Sequence, residues 1–167
     1  MSSSFKDSKG RIHDVSVDVE AVRRVRRARF DGPGGETFAF DLPDIVTLDG
    51  MKRLLDDPLL IVDLAYLVCR PQLEQRGITQ QDFCASMIGD PIEAALRAMQ
   101  EQVVSFCQNP RDRAAAQRVV TETYALLDKV RDRREKALEE GVLAKAMDSA
   151  LETLSGRPSG TAPASSD

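Results

Sequence analysis

Asp57-Pro58-Leu59-Leu60-Ile61-Val62-Asp63-Leu64-Ala65-Tyr66-Leu67-Val68-Cys69-Arg70-Pro71 decides the fold of this 167-residue chain. Asp before Pro is a helix start. The Asp side chain can accept from orphan N–H groups, and Pro at the first helical position gives up only an N–H that would have no partner. The residues that follow are apolar nearly all round, which marks a helix covered on every side and therefore central. Leu59, Asp63, Tyr66 and Arg70 share the one side with polarity. Asp63 has no second acid to work with, so it is expected at the rim, facing solvent or a neighbouring arginine. Pro71 is expected to close the helix.

The same grammar repeats downstream. Ile78-Thr79-Gln80-Gln81-Asp82-Phe83 reads as a capping box flanked by apolar residues, with Asp82 in the place of the usual Glu or Gln. That helix is expected to run through Met87 and Ile88, with Gly89 as a left-handed cap. Asp90-Pro91-Ile92-Glu93 opens another, whose apolar residues Ile92, Ala95, Leu96, Met99, Val103 and Phe106 recur at helical spacing. Residues 57–107 thus predict three consecutive helices forming the core. Asn109-Pro110 opens the last helix, where Val119, Val120, Tyr124, Leu127 and Val130 keep the period. The run Arg131 to Lys136 then breaks it, so a sustained heptad is not predicted. A second apolar stripe follows with Leu138, Leu143, Ala146, Met147, Ala150, Leu151 and Leu154. Residues 155–167 are mostly Ser, Pro, Gly and Ala and read as a disordered tail.

Upstream, Asp7-Ser8-Lys9-Gly10 is a turn cluster between apolar alternations at Phe5 and at Ile12, Val15 and Val17, which predicts a β-hairpin. An isolated hairpin is marginal in water, so it is expected to lie on the helices. Asp18 caps a helix over residues 19–29 with Val22 and Val25 inward. Arg23, Arg24, Arg26, Arg27 and Arg29 make its outer side the most basic part of the chain. They suit a solvated face near a helix C-terminus better than nucleic acid, because no aromatic platform accompanies them. Gly32-Pro33-Gly34-Gly35 lacks the spacing of a phosphate loop and reads as a turn. Residues 37–40 alternate and are a candidate third strand for the hairpin. Thr47 or Asp49 starts a short helix with Met51, Leu54 and Leu55 as its apolar positions.

Composition bounds the function. Hydrophobic content of 42% and charged content of 30% are those of an ordinary globular chain, and with six Phe, two Tyr and no Trp its core must be aliphatic. The net charge of −4 argues against a general nucleic-acid binder. Cys69, Cys84 and Cys107 are odd in number and widely spaced, and with one histidine, His13, they predict reduced thiols rather than a zinc site. His13 leaves little choice of catalytic base, and no nucleotide fingerprint, metal cluster or cofactor site is expected. Residues 1–10 lack the apolar run of a secretory signal, and residues 59–69 fall far short of the ~20 needed to span a bilayer. A cytoplasmic protein without membrane contact is expected.

The fold class predicted is mainly α. It comprises a compact helical core over residues 1–108 with a small N-terminal antiparallel β-hairpin, a helical arm over 109–154 and a tail over 155–167. The order of motifs resembles a known layout: Phe5-x-Asp7-x-x-Gly10-Arg11, then Val22-Arg23-Arg24-Val25, Asp57-Pro58-Leu59-Leu60, Gly77-Ile78-Thr79-Gln80-Gln81-Asp82-Phe83 and Asp90-Pro91-Ile92-Glu93. Over residues 4–108 it is similar to tail assembly chaperones of long-tailed phages and gene transfer agents. The shared motifs are caps and apolar spacings, and the Gly-Pro-Gly-Gly turn and the long arm depart from the compact pattern. The resemblance implies a non-enzymatic protein that coats the helical tape-measure protein before the tail tube forms, with no cofactor. A helical client docks by laying an apolar stripe into a groove. The residues expected to meet it are Leu143, Met147, Leu151 and Leu154, with Tyr124 and Leu127 secondary. A homo-oligomer is a further candidate assembly. The alternatives are a structural tail or head-completion component, or a small regulatory nucleic-acid binder using the arginine run.

Overall fold

In the computed structural model, residues 3–32 and 34–139 are described. The N-terminal hairpin pairs β1 (Ser3–Lys6) with β2 (Ile12–Val15) antiparallel, Phe5 opposite His13. Asp7 builds its turn: one carboxylate oxygen accepts from the N–H groups of Lys9 and Arg11 at 3.0 and 2.9 Å, and Gly10 takes φ 81°. Phe5, His13 and Val15 are buried on the inner face. That face lies on α5 (Asp90–Phe106) and α3 (Pro58–Gln75), the support a two-stranded ribbon needs. The outer edge of β2 is not left bare either. Arg76 donates to the Ile12 carbonyl at 2.6 Å and Gln72 donates to that of Asp14.

α1 (Val19–Arg27) is capped by Asp18, which accepts from Ala21 N–H at 2.7 Å. It stops two residues before the expected end because Ala28 turns extended and leads into β3 (Phe30–Asp31). β3 pairs with β4 (Thr37–Phe38) in a second two-stranded sheet, so residues 37–40 do not add a third strand to the first hairpin. The reason is local: Gly32 N–H reaches the Glu36 carbonyl at 2.7 Å and Gly35 sits at φ 81°. That turn closes over few residues, where loop entropy is smallest.

A 3-10 turn (Leu42–Val46) precedes α2 (Leu48–Asp56), whose cap Thr47 accepts from Gly50 N–H at 3.1 Å. Gly50 is required by close approach. A Cβ there would stand 1.9 Å from the Asp44 carbonyl oxygen. Asp57 and Pro58 open α3 as expected, with Asp57 accepting from Leu59 N–H.

Pro71 does not end α3, contrary to the sequence expectation: the helix continues to Gln75. Pro71 supplies no N–H to the Leu67 carbonyl one turn back. Arg24 of α1 takes that role, donating from Nε to Leu67 O at 3.0 Å and from Nη2 to Val68 O at 3.4 Å. The helix crosses the proline because a distant guanidinium satisfies what the proline leaves open.

α4 (Gln80–Cys84) is shorter than expected and stops before Met87. Ser86 and Met87 close tight turns onto Phe83 and Cys84, and the Ser86 carbonyl is taken by Ser8 of the hairpin turn. Thr79 caps α4 through Asp82 N–H at 3.1 Å, but the short Asp82 side chain meets the Thr79 hydroxyl at 3.2 Å. Only half of a capping box forms. For α5 the cap falls on Gly89, at φ 76°, rather than on Asp90, which lies inside the first turn.

α3 touches α1, α2, α4 and α5, and Leu60, Ile61, Val62, Leu64, Ala65, Val68, Cys69 and Leu73 are buried on it. The core is aliphatic around Phe5, Phe30, Phe40 and Phe83. Asn109 starts α6 (Pro110–Glu139) by accepting from Arg111 N–H, and Ala116 closes the core. The chain divides into two compact units between Thr123 and Tyr124, inside α6. The expected tail at 155–167 lies outside the described residues.

Candidate functional site

Three places hold chemistry that could act on a partner or ligand. The first is a buried polar knot that the sequence did not reveal. Asp7 accepts from His13 Nε2 at 2.9 Å and from Arg11 Nε at 2.7 Å, and Arg11 Nη2 donates to Ser86 Oγ at 2.9 Å. Burial alone would push the Asp7 carboxyl up, but the hydrogen bonds from His13 and Arg11 outweigh it and hold the group well below the usual carboxylate range. An ionised carboxylate can only accept, so His13 Nε2 carries the proton. Its Nδ1 is buried without a partner among the described residues. Asp, His and Ser do converge, yet not in the geometry of a nucleophile and its base. Ser86 donates its hydroxyl proton to the Phe83 carbonyl at 2.7 Å, and the guanidinium of Arg11, not His13, faces the Ser86 oxygen. His13 and Ser86 are fully buried. The knot ties the hairpin turn to the loop after α4. In the sequence Asp7 reads only as a turn residue and His13 only as a lone histidine.

The second place is the arginine run. Arg23 pairs with Glu20 at 2.6 Å, Arg26 with Asp41 at 2.6 Å, and Arg24 serves α3. Arg29 donates to the carbonyls of Arg26 and Ala28. Arg27 alone of the five makes no such contact among the described residues. A phosphate backbone would have to compete for cations already engaged, which weakens the electrostatic basis of nucleic-acid binding.

The third is α6. Of the residues expected to meet a client, Tyr124 and Leu127 are half-buried on it. Leu143, Met147, Leu151 and Leu154 lie outside the described residues. Neighbouring positions on α6 are more open: Leu126 is 62% exposed, Val130 46% and Leu138 64%. Leu127, Val130 and Leu138 fall on one side at the helical period. Periodicity singled out Val130 and Leu138 as apolar positions but could not rank them by exposure, and Leu126 stood outside the stripe.

The thiols fit none of these places. Burial pushes Cys69 up to about 12 and, with the nearby charge of Asp63, raises Cys84 as well, so both remain protonated at neutral pH. Among the described residues no group of His, Cys, Asp and Glu is arranged to hold a metal, and no helix is long and apolar enough to cross a membrane. No protein-family model, no curated protein and no solved structure matches the chain.

Proposed function

We propose that this chain is a non-enzymatic assembly chaperone of a phage-type tail module, acting in the host cytoplasm on a long helical client such as a tape-measure protein. The observation that carries the reading is α6, which keeps Leu126, Val130 and Leu138 in solvent and buries no described residue beyond Thr123. Leu127, Val130 and Leu138 share one side of α6, and an apolar stripe on one helix side is a surface that a partner can cover. The apolar positions Leu143, Met147, Leu151 and Leu154 extend the same chemistry in sequence. A tape-measure-like helix offers the matching apolar stripe at i, i+3, i+4 and i+7.

Co-expression with a helical tape-measure client tests this. Deleting residues 141–167 is expected to lower client co-purification by at least about tenfold, or about 1.4 kcal/mol of binding. Undiminished capture would overturn the role of the arm.

A further inference from the structure

Asp63 stands in a cleft of about 340 Å³ walled by Tyr66 and Arg70 of α3, by Arg29 and Phe30 at the junction of α1 and β3, and by Gln80 of α4. The arginines at its rim are engaged elsewhere, Arg29 on main-chain carbonyls and Arg70 on Glu74 at 2.7 Å. Asp63 itself, half-buried, has no hydrogen-bond or ion-pair partner among the described residues. The sequence expectation of a rim carboxylate facing solvent or an arginine is thus met only in its first half. Burial of the carboxylate, together with the like charges of Asp57 and Asp31, raises its pKa. The charged groups that act on the Asp63 carboxylate are the acids Asp57 and Asp31, while Arg29 and Arg70 stand at the rim.

We propose that this cleft receives a lysine or arginine side chain from the protein partner. The methylene stem of such a side chain lies against Phe30, Tyr66 and Leu67, and its cationic head supplies Asp63 with the donor it lacks. Leu59 sits one turn before Asp63 on the same side of α3 and is 72% exposed. A partner that places an apolar residue beside the basic one, as an amphipathic helix does, meets both. This extends the proposed function by naming the charge the client must carry.

The cleft can be tested without any client, so its failure and that of the α6 reading are separable. Purified full chain is titrated with n-butylguanidinium and n-butylammonium chloride, against sodium chloride at equal ionic strength, while NMR follows the Asp63 carboxyl carbon and the amides of Phe30, Tyr66 and Gln80. Saturable shifts at roughly millimolar concentration are expected from the organic cations alone. In Asp63→Asn, with the rest of the spectrum unchanged, they should weaken by at least about tenfold. Shifts that rise linearly and match those from sodium chloride would overturn the proposal, as would an Asp63→Asn protein that binds as tightly.

Discussion

The unit that ends at Thr123 holds every buried apolar residue among those described, and the helix that continues from Tyr124 holds none. In the first, Asp7 takes His13 and Arg11, and Gln100 donates to the Ile45 carbonyl at 3.1 Å, with His13 Nδ1 left without a partner among the described residues. Even the gap left by Pro71 is filled by Arg24. In the second, Leu126, Val130 and Leu138 are large apolar groups left in water. The first unit also leaves Leu48, Leu59 and Ile88 in water, but there they border a packed core, whereas beyond Thr123 no described apolar residue is buried. Asp63, in the first unit, is a half-buried carboxylate without a donor among the described residues, which is why it draws a functional reading.

The comparison can be broken hardest at the knot. Asp7→Ala leaves a buried His13 N–H and the Arg11 guanidinium without their acceptor, and is expected to cost about 3–5 kcal/mol in urea denaturation. A loss under about 1 kcal/mol would show that the knot contributes little. The same group sets a pH dependence. Its folded pKa lies below the unfolded value, so its stabilisation is present above the unfolded carboxylate range and is lost as pH falls from about 4 downward. Asp7→Ala should remove that part of the acid sensitivity.

Gly50→Ala comes next, at about 1–3 kcal/mol, because the new methyl meets the Asp44 main chain rather than a flexible side chain. A variant as stable as the parent would mean that α2 can shift freely against the preceding turn. Arg24→Ala should cost about 1–3 kcal/mol by stranding the Leu67 carbonyl beside Pro71, and hydrogen exchange should show the last turn of α3 opening first. Uniform protection along α3 would contradict the latch. The smallest effect has the opposite sign. Asp63 has a raised folded pKa, so its ionised form disfavours folding, and Asp63→Asn should raise the melting temperature slightly at pH 7. That gain should vanish below about pH 4, where the unfolded carboxylate is protonated as well. A lower melting temperature would reveal a donor to Asp63 in the free protein.

Local chemistry was the legible part of this chain. Asp18, Asp57, Thr79 and Asn109 cap the helices they were expected to cap, and of the two candidates Thr47 and Asp49 it is Thr47 that caps α2, since a cap needs only the next two or three residues. The hairpin turn at Asp7 and Gly10 was legible for the same reason. What escaped the sequence depends on residues far apart in it. Pro71 reads as a helix end unless Arg24 is known to reach it. The end of α4 depends on Ser8, and the knot brings Ser86 to a hairpin more than seventy positions away. The candidate surface divides likewise. Periodicity gave the apolar positions of α6, but exposure of Leu126 and the missing partner of Asp63 are properties of packing.

The most direct test of the claim that function resides in the apolar residues the fold leaves unused is a triple substitution on α6. Leu126→Lys, Val130→Lys and Leu138→Lys together should change stability by little, with each exposed site within about 0.5 kcal/mol. Capture of the helical client by the same protein should fall by at least about tenfold. Full capture by a normally folded triple variant would contradict the account.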